Sequence, residues 1–341
     1  MNDAADAFEF FFAKPWSDGL PIVPPTEARV AHMLEGTRRD PDALVGQVPP
    51  LHETATVRIV AMHAVMAGCR PEYLPVVLGG IEAILLEEFC MNGVQATMHS
   101  AAPLMIVNGP YGKRIGLHGG TGCFGPGFRA NATIGRAIRL MLLNLGGGIP
   151  GMTSMSAFGQ PSRYTYCIRE NEEESPWEPL ATTNGYAAEA DVVTCIMCEN
   201  PKLVFDDVSA EPDSLLYTIA DTMALIGSRN VLTGGDMLVA IGPEHARLCA
   251  KAGMSKADIH ARLRELAYLR LGDVKRGAWR PEFAAMWPFT VDLDDDDSLI
   301  PAVVHPERLQ IMVAGGTPGP ISAVMHGWNP ASRSVSRAYE V

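Results

Sequence analysis

Three absences in this sequence narrow the class of protein. It has no run of basic residues, and 27 basic against 39 acidic side chains give a net charge of −12, which argues against a nucleic-acid-binding protein. No apolar run reaches about 18 residues, the length that a transmembrane helix needs. Residues 1–16 contain no basic region beside the short apolar segment Phe8–Phe12, so we predict no signal peptide.

The composition predicts a compact cytoplasmic protein. Seven cysteines without a secretory signal indicate reduced thiols rather than a disulfide framework. A hydrophobic content of 47% with only 19% charged residues excludes a disordered chain. This balance also favours burial of surface against other subunits, and we predict a homo-oligomer or a hetero-oligomer without nucleic-acid or membrane partners.

The densest glycine segment surrounds one thiol, Cys123. It runs over residues 118–127, after a predicted buried strand at Leu104–Val107 that ends in Asn108. Glycine at this density indicates a backbone that comes close to another group, because no Cβ is in the way. We therefore predict a ligand at this loop.

A helix with one apolar face follows the loop and ends at Gly146. Asn131 and Thr133 are its candidate N-caps. A helix start offers free N–H groups and a partial positive charge, so the loop and Arg129 predict an anion site. No Gly-Lys-Ser/Thr and no G-x-G-x-x-G pattern follows, so the segment is not a nucleotide-binding motif. The predicted substrate-binding groups here are Asn108, Gly120, Gly122, Gly125, Arg129 and Asn131.

The order of the elements predicts an α/β fold of two similar halves, with helices packed on small, mainly parallel sheets. Predicted strands end in Asn108-Gly-Pro110, Ile241-Gly-Pro243 and Ala314-Gly-Gly316. Chance similarity explains the weak internal repeat equally well. The predicted units are residues 1–50 as an extended proline-rich arm with a short helix, 51–185 and 186–330 as α/β halves, and 331–341 as a tail.

We expect two further structural features, one for the arm and one for the site. The arm contains Asp18–Pro25, and arms of this type lie across a neighbouring domain or subunit. In open α/β sheets, ligands bind outside the carboxyl ends of strands, so we place the site where the glycine turns meet.

Two histidines and Cys123 have competing interpretations. His99 and His118 with Cys123 form a possible metal set for a divalent ion, although their spacing matches no short metal motif. The alternative is that the histidines are partly buried and bonded to backbone. The surroundings of Cys123 predict a lowered thiol pKa and a chemical role; a small buried cysteine that fits its site is the alternative.

The segment after the predicted strand Tyr164–Ile168 is acidic. A solvated loop is the usual explanation for such a run. Glu170 or Glu172 is a candidate general base or metal carboxylate, and Asn171 and Trp177 are residue types that orient substrates. Residues 326–329, after the third glycine turn, either line the site or pack as a tail.

Four segments together resemble a known family. They are Ala64–Tyr73, Gly119–Gly127, Glu170–Pro179 and Gly242–Ala246. They are similar to a bacterial family that itself resembles, or is encoded beside, the proteins named for a UGSC selenocysteine motif. The UGSC motif is absent here, so such a centre would come from a partner chain. The resemblance spans about residues 18–316 and implies an enzyme or an enzyme subunit.

The sequence thus predicts an enzyme that acts on a small anionic substrate. In the main hypothesis Cys123 is the nucleophile or redox thiol of a lyase, hydrolase or reductase, His99 or His118 is its base, and Glu170 or Glu172 carries a proton. The first alternative is a metal-dependent lyase or hydratase with His99, His118 and a glutamate as ligands. The second is a non-catalytic subunit that completes the active site of a UGSC-like partner.

Overall fold

The computed structural model describes residues 9–277, 279–317 and 319–341. Its helices are α1 (Glu27–Leu34), α2 (Val57–Ala67), α3 (Leu74–Ile84), α4 (Met91–Ala96), α5 (Pro110–Arg114), α6 (Arg129–Asn144), α7 (Leu180–Thr183), α8 (Pro212–Met223), α9 (Arg229–Thr233), α10 (Pro243–Lys251), α11 (Lys256–Leu266) and α12 (Leu271–Lys275). None of the helices in these ranges is both long and apolar enough to cross a bilayer.

Twelve strands in the described ranges form four sheets. They are β1 (Leu44–Val48), β2 (Glu53–Thr56), β3 (Ala102–Asn108), β4 (Cys167–Arg169), β5 (Val192–Cys198), β6 (Lys202–Phe205), β7 (Met237–Ile241), β8 (Tyr268–Arg270), β9 (Leu299–Pro301), β10 (Leu309–Val313), β11 (Ile321–His326) and β12 (Val335–Ala338). Strands β1 and β2 form one antiparallel pair, and β8 and β9 form another.

The mixed α/β class is confirmed, but the prediction of mainly parallel sheets is wrong. The four-stranded sheets have the orders β12-β5-β3-β4 and β10-β7-β11-β6. Only β3 with β4 and β10 with β7 pair in parallel among these strands. The sequence predicted strands that end near Asn108, Ile168, Ile241 and Ala314, but β5 and β11 return antiparallel beside β3 and β7, and local patterns do not report that direction.

The two larger sheets share one connectivity. In each, a central strand followed by Gly-Pro has a parallel neighbour on one side and an antiparallel neighbour on the other. If β3–β6 are counted as one unit and β7–β12 as the other, the fourth strand of each sheet comes from the other unit. After β5 the chain crosses into the second sheet as β6, and after β11 it crosses into the first sheet as β12. The predicted tail therefore contributes a strand to the first sheet.

The two sheets pack face to face between layers of helices. Side chains at alternate positions, such as Leu104 of β3, Leu238 of β7 and Met312 of β10, share one apolar core between the sheets. The outer face of the first sheet packs on α2, α3 and α6, and that of the second on α8, α10 and α11. The result is a four-layer sandwich in which β5 and β7 are buried on both faces, whereas the edge strand β6 is partly exposed.

Local patterns set several helix ends. Thr26 caps α1 through the Arg29 N–H, and Ser255 with Asp258 forms a capping box at the start of α11. The predicted caps of α6 are wrong. That helix begins at Arg129 without a side-chain cap, and Asn131 and Thr133 lie inside its first turns.

The proline-rich arm packs on its own chain. Asp18 accepts two hydrogen bonds of 2.8 Å from Arg136 on α6, and the Val23 N–H donates to Met66 O at the end of α2 over 3.1 Å. Residues 1–8 of the predicted arm lie outside the described residues. The described part thus lies across helices of the same chain.

Candidate functional site

The glycine loop is held in place by the side chain of Asn131. Asn131 is buried; its Oδ1 accepts the His118 N–H at 2.9 Å, and its Nδ2 donates to His118 O at 2.8 Å and to Cys123 O at 3.2 Å. All three contacts are with loop backbone. Asn131, predicted to bind substrate, therefore acts as a clamp on the loop.

Cys123 is part of this loop, and it is buried, with only 5% of its surface exposed. Burial raises the pKa of its thiol to about 11, and hydrogen bonds from the Gly315 and Phe124 N–H groups offset only part of that effect. The predicted lowering of the pKa is wrong because desolvation outweighs the nearby helix start. Arg129 does not bond to the Cys123 thiol, since its guanidinium donates to Gly68 O over 2.9 and 3.1 Å.

Other predicted groups of the loop also bond within it. The His118 ring stacks on Phe128 at 3.8 Å between centroids, and its Nε2 lies 3.0 Å from Thr121 O. The Gly125 N–H donates to Gly122 O at 2.7 Å, and the Cys123 N–H to Gly120 O at 3.0 Å. Of the predicted anion-binding amides, that of Gly125 is thus already bonded inside the loop.

The carboxyl ends of the strands meet as predicted, and the acidic segment after β4 joins the two sheets there. Its backbone bonds to both: the Glu170 N–H donates to Val107 O at 3.1 Å, and the Asn171 N–H to Val313 O at 2.9 Å. The Gly315 N–H reaches Gly119 O at 2.8 Å. The turns after β3, β4 and β10 therefore contact one another directly.

Glu170 is fully buried at this junction. Its carboxylate accepts from Asn108 Nδ2 and the Leu180 N–H, each at 2.7 Å, and from the Val313 N–H at 3.3 Å. Burial raises the pKa of Glu170, while the charge of Lys256 and these three hydrogen bonds act in the opposite direction. The Glu170 carboxylate therefore accepts hydrogen bonds from groups of both sheets and connects them.

The remaining predicted residues of this end have protein partners too. Glu172 accepts from Asn108 Nδ2 at 2.8 Å and from the Gly109 N–H at 3.0 Å. Asn171 Nδ2 donates to Glu174 and to Gly315 O, each at 2.9 Å. Trp177 Nε1 donates to Met254 O at 2.9 Å. These contacts make the segment a bonded connection rather than a solvated loop.

His99 lies at the opposite end of β3 from His118. The strand has seven residues, which span about 23 Å at roughly 3.3 Å per residue. The structure thus contradicts a shared metal site for the two histidines. Across the described ranges, no group of three or more His, Cys, Asp or Glu side chains is arranged to hold a metal ion.

A pocket of about 770 Å³ opens beside His99. It lies where β3 begins, where the chain crosses from β5 to β6, and where it leaves β11. Its lining residues are Thr97, Met98, His99, Ser100, Ala157, Phe158, Gly159, Gln160, Glu199, Asn200, Pro201, Lys202, Arg229, Trp328 and Asn329.

Glu199 and His99 form a hydrogen-bonded pair in the wall of this pocket. His99 Nε2 lies 3.0 Å from Glu199 Oε1, and His99 Nδ1 accepts the Ala101 N–H at 3.1 Å. That second contact assigns the ring proton to Nε2. Burial alone would raise the pKa of Glu199, but hydrogen bonds from His99 and Lys202, with the Lys202 charge, hold it at about 2. Glu199 is therefore ionised at neutral pH.

Lys202 extends this chain of contacts to a buried histidine. Its Nζ bonds to Glu199 and lies 3.2 Å from His326 Nδ1, and His326 Nε2 lies 3.1 Å from Met223 O. A carbonyl only accepts, so His326 carries its proton on Nε2, and its Nδ1 accepts a hydrogen bond from the Lys202 ammonium. Burial first, and then the Lys202 charge, lower the pKa of His326 to about 4. This histidine is neutral and fixes the ammonium group.

Neighbouring side chains hold the pocket walls. Trp328 Nε1 donates to Thr97 Oγ1 at 3.0 Å, and the same oxygen accepts the His99 N–H at 3.1 Å. Gln160 Oε1 accepts the Asn200 N–H at 2.8 Å. Trp328 thus lines a pocket, as one of the two interpretations of residues 326–329 predicted, but at the end of the sandwich away from the glycine loop.

Glu199 and Lys202 were missed by the sequence reasoning, although a signal was present. Asn-Pro follows β5 at Asn200-Pro201 and recurs after β11 at Asn329-Pro330. Both dipeptides lie where a strand crosses from one sheet to the other. This second repeat marks the two connections that build the pocket.

No protein-family model, no curated protein and no solved structure matches the chain. The resemblance to the family related to the UGSC-motif proteins stays a prediction.

Proposed function

We propose that the protein is an enzyme that acts on a small anionic substrate in the pocket beside His99. Glu199, ionised in the pocket wall, is the proton acceptor, because a bound substrate buries it further and so raises its pKa from about 2. The Lys202 ammonium donates to a substrate oxygen. His99 and His326 are positioning residues that orient these two groups. The observation that carries this proposal is the continuous chain of contacts from His99 through Glu199 and Lys202 to His326.

The charge of the pocket favours an anion. Lys202 and Arg229 are cationic and line the pocket, and Glu199 is the single carboxylate among the lining residues that the structure describes. Lys202 has three N–H donors, and two of them are assigned to Glu199 and His326. The third can bind a carboxylate or carbonyl oxygen. An acid and a base beside such an oxygen suit proton transfer at the adjacent carbon, as in a lyase, hydratase or isomerase.

The thiol-dependent form of this function is less well supported. It needs a Cys123 thiolate at neutral pH, whereas burial raises the pKa of that thiol to about 11. The metal-dependent form needs His99 and His118 as common ligands, and β3 separates them. Acid–base chemistry in the His99 pocket requires neither.

Exchange of carbon-bound hydrogen tests the proposal. Small hydroxy and keto carboxylic acids, incubated with the protein in D₂O, should exchange the hydrogen next to the carbonyl or carboxylate group, as followed by proton NMR. Lys202→Gln should slow this exchange by at least about 100-fold, the scale of a general acid. The matched control Lys251→Gln, exposed on α10, should leave the rate unchanged. Equal rates in Lys202→Gln and the wild type would contradict the proposal.

We also propose that the chain associates with a second copy through β6. This strand is at the edge of its sheet, and its side chains Leu203 and Phe205 are 70% and 62% exposed. Unpaired edge strands with apolar side chains favour association. Light scattering should give a dimer that Leu203→Lys dissociates. Stable co-purification with a different chain, and no turnover without it, would instead favour the non-catalytic subunit.

The matching connectivity of the two sheets supports one further part of the sequence hypothesis. We propose that the halves derive from one duplicated α/β unit, since the same strand order and the Gly-Pro and Asn-Pro turns occur in both. In this view the pocket formed at the crossing of the two copies.

A further inference from the structure

A second pocket, of about 660 Å³, lies on the other side of residues 157–160 from the His99 pocket. The two pockets share this segment as a wall. Two arginines line the second pocket: Arg139 from α6, and Arg163 from the 3-10 turn Pro161–Arg163. The proposed function assigns no role to either arginine.

Both guanidinium groups have only neutral partners. Arg139 donates to Gly148 O, and Arg163 to Ser154 Oγ, each over 3.1 Å. Within residues 9–277, 279–317 and 319–341, the ion pairs include no carboxylate bonded to Arg139 or Arg163. A guanidinium has five N–H donors, so most of theirs remain for another ligand.

Among the described residues, the pocket lining has one carboxylate, and it is already neutralised. Asp18 lies in this lining, but both of its oxygens accept 2.8 Å hydrogen bonds from Arg136. Counting that pair as neutral, Arg139 and Arg163 leave two positive charges on the wall.

The position of the two arginines is costly without an anion. Burial first, and then repulsion by Arg163, lower the pKa of Arg139 to about 10, although the charge of Asp18 offsets part of this effect, and burial lowers the pKa of Arg163. Both also border a small cavity of about 20 Å³, near the volume that one water needs. Removing two like charges from water is unfavourable unless an opposite charge compensates them.

We propose that this pocket binds the phosphoryl group of a small molecule between Arg139 and Arg163. A phosphate monoester carries two negative charges near neutral pH, which match the two uncompensated guanidinium groups. Its oxygens also accept the paired N–H bonds of an arginine fork. Leu143, Phe158 and Tyr164 give the rest of the pocket an apolar wall for the organic part of such a ligand. This site stands independently of the proposed acid–base function.

Calorimetric titration with inorganic phosphate and with pyrophosphate tests the proposal, at pH 7.5 and constant ionic strength in chloride. The wild type should bind with a dissociation constant of millimolar or below. Arg163→Gln should weaken binding by at least about tenfold, and Arg163→Lys, which keeps the charge but not the fork, by less. The control Arg58→Gln removes a cation that pairs with Asp42 on the surface and should bind as the wild type does.

Two outcomes would overturn the phosphoryl site. One is failure of the wild type to bind either phosphate compound. The other is equal binding by Arg163→Gln and Arg58→Gln, which would assign a structural role to Arg163. Titration with succinate separates the two kinds of dianion, and tighter binding of succinate than of phosphate would refute the phosphoryl assignment. Circular dichroism and the melting temperature confirm that each variant is folded before titration.

Discussion

The two ends of the β-sandwich differ in where their polar side chains find partners. At the end with the glycine loop, Asn131, Glu170 and Glu172 bond to backbone and side chains that close the loop and join the sheets. At the other end, Glu199 and Lys202 line a pocket of about 770 Å³. A glycine-rich segment indicates that the backbone comes close to another group. Here that group is another part of the same protein rather than a ligand.

The largest expected effect is the loss of stability on replacing Glu170. It tests whether the glycine-loop end of the sandwich has a structural or a catalytic role. Glu170→Ala removes the acceptor of the Leu180 and Val313 N–H groups and one acceptor of Asn108, all buried. We expect a loss of about 3–5 kcal/mol in the free energy of unfolding, since each buried unpaired donor costs roughly 1–3 kcal/mol. Urea denaturation measures this loss.

Glu307→Ala is the control for Glu170, because the Glu307 side chain is 69% exposed. It should change the free energy of unfolding by no more than about 0.5 kcal/mol. A Glu170→Ala protein with nearly unchanged stability and no activity would reverse our assignment, and would place the chemistry at the glycine-loop end.

The reactivity of Cys123 is a second test of whether the glycine-loop end is catalytic. A thiol with a pKa of about 11 has about 300-fold less thiolate at pH 7.5 than a free cysteine with a pKa of about 8.5. Iodoacetamide should therefore alkylate Cys123 at least about 300-fold more slowly than a free thiol, and burial slows it further. Peptide mass spectrometry follows each site, and Cys90, which is partly exposed, is the internal reference. Faster labelling of Cys123 than of Cys90 would restore the thiol hypothesis.

The smallest effect is a pH dependence that arises at the pocket end. The pKa of folded His326 is about 4, below its ordinary value of 6.5. As pH falls from 6.5 to 4, the unfolded chain therefore takes up a proton that the folded chain does not, and the folded state loses up to about 3 kcal/mol. His326→Gln lacks this term, so the difference in unfolding free energy between wild type and variant should shrink across that range.

Urea titrations of both proteins at several pH values measure the His326 effect. Asp236, whose pKa burial raises to about 6, acts in the opposite direction, but it is present in both proteins and cancels in the difference. A difference that is constant between pH 6.5 and 4 would show that His326 is not held neutral behind Lys202.

Local sequence patterns predicted much of the fold. The apolar spacing of Ile134, Ile138 and Met141 predicted α6, and these residues are buried. Cys195 and Cys198 lie in β5, where residues three positions apart point to opposite faces, and they face different cores on the two sides of the strand. These features depend on residues a few positions apart, which is the range over which helix and strand periods act.

The site was harder to predict because its parts are distant in sequence. His99 and Glu199 are 100 positions apart, and Lys202 and His326 are 124 apart. Strand direction and sheet exchange bring them together, and neither is encoded in local periodicity. Cys123 is buried in one core with Met312 and Ala314 from the other half, so its neighbours in sequence alone suggested an activated thiol.

The exchange of strands between the sheets also interlocks the two halves. The first sheet is incomplete until β12 has followed the whole second sheet along the chain, and the second sheet takes β6 from the segment that follows the first. Neither half can satisfy its own backbone hydrogen bonds alone, and the pairing of β12 with β5 joins residues about 140 positions apart. Such non-local closure makes folding slow and cooperative, so the two halves should melt as one unit in spite of their repeated architecture.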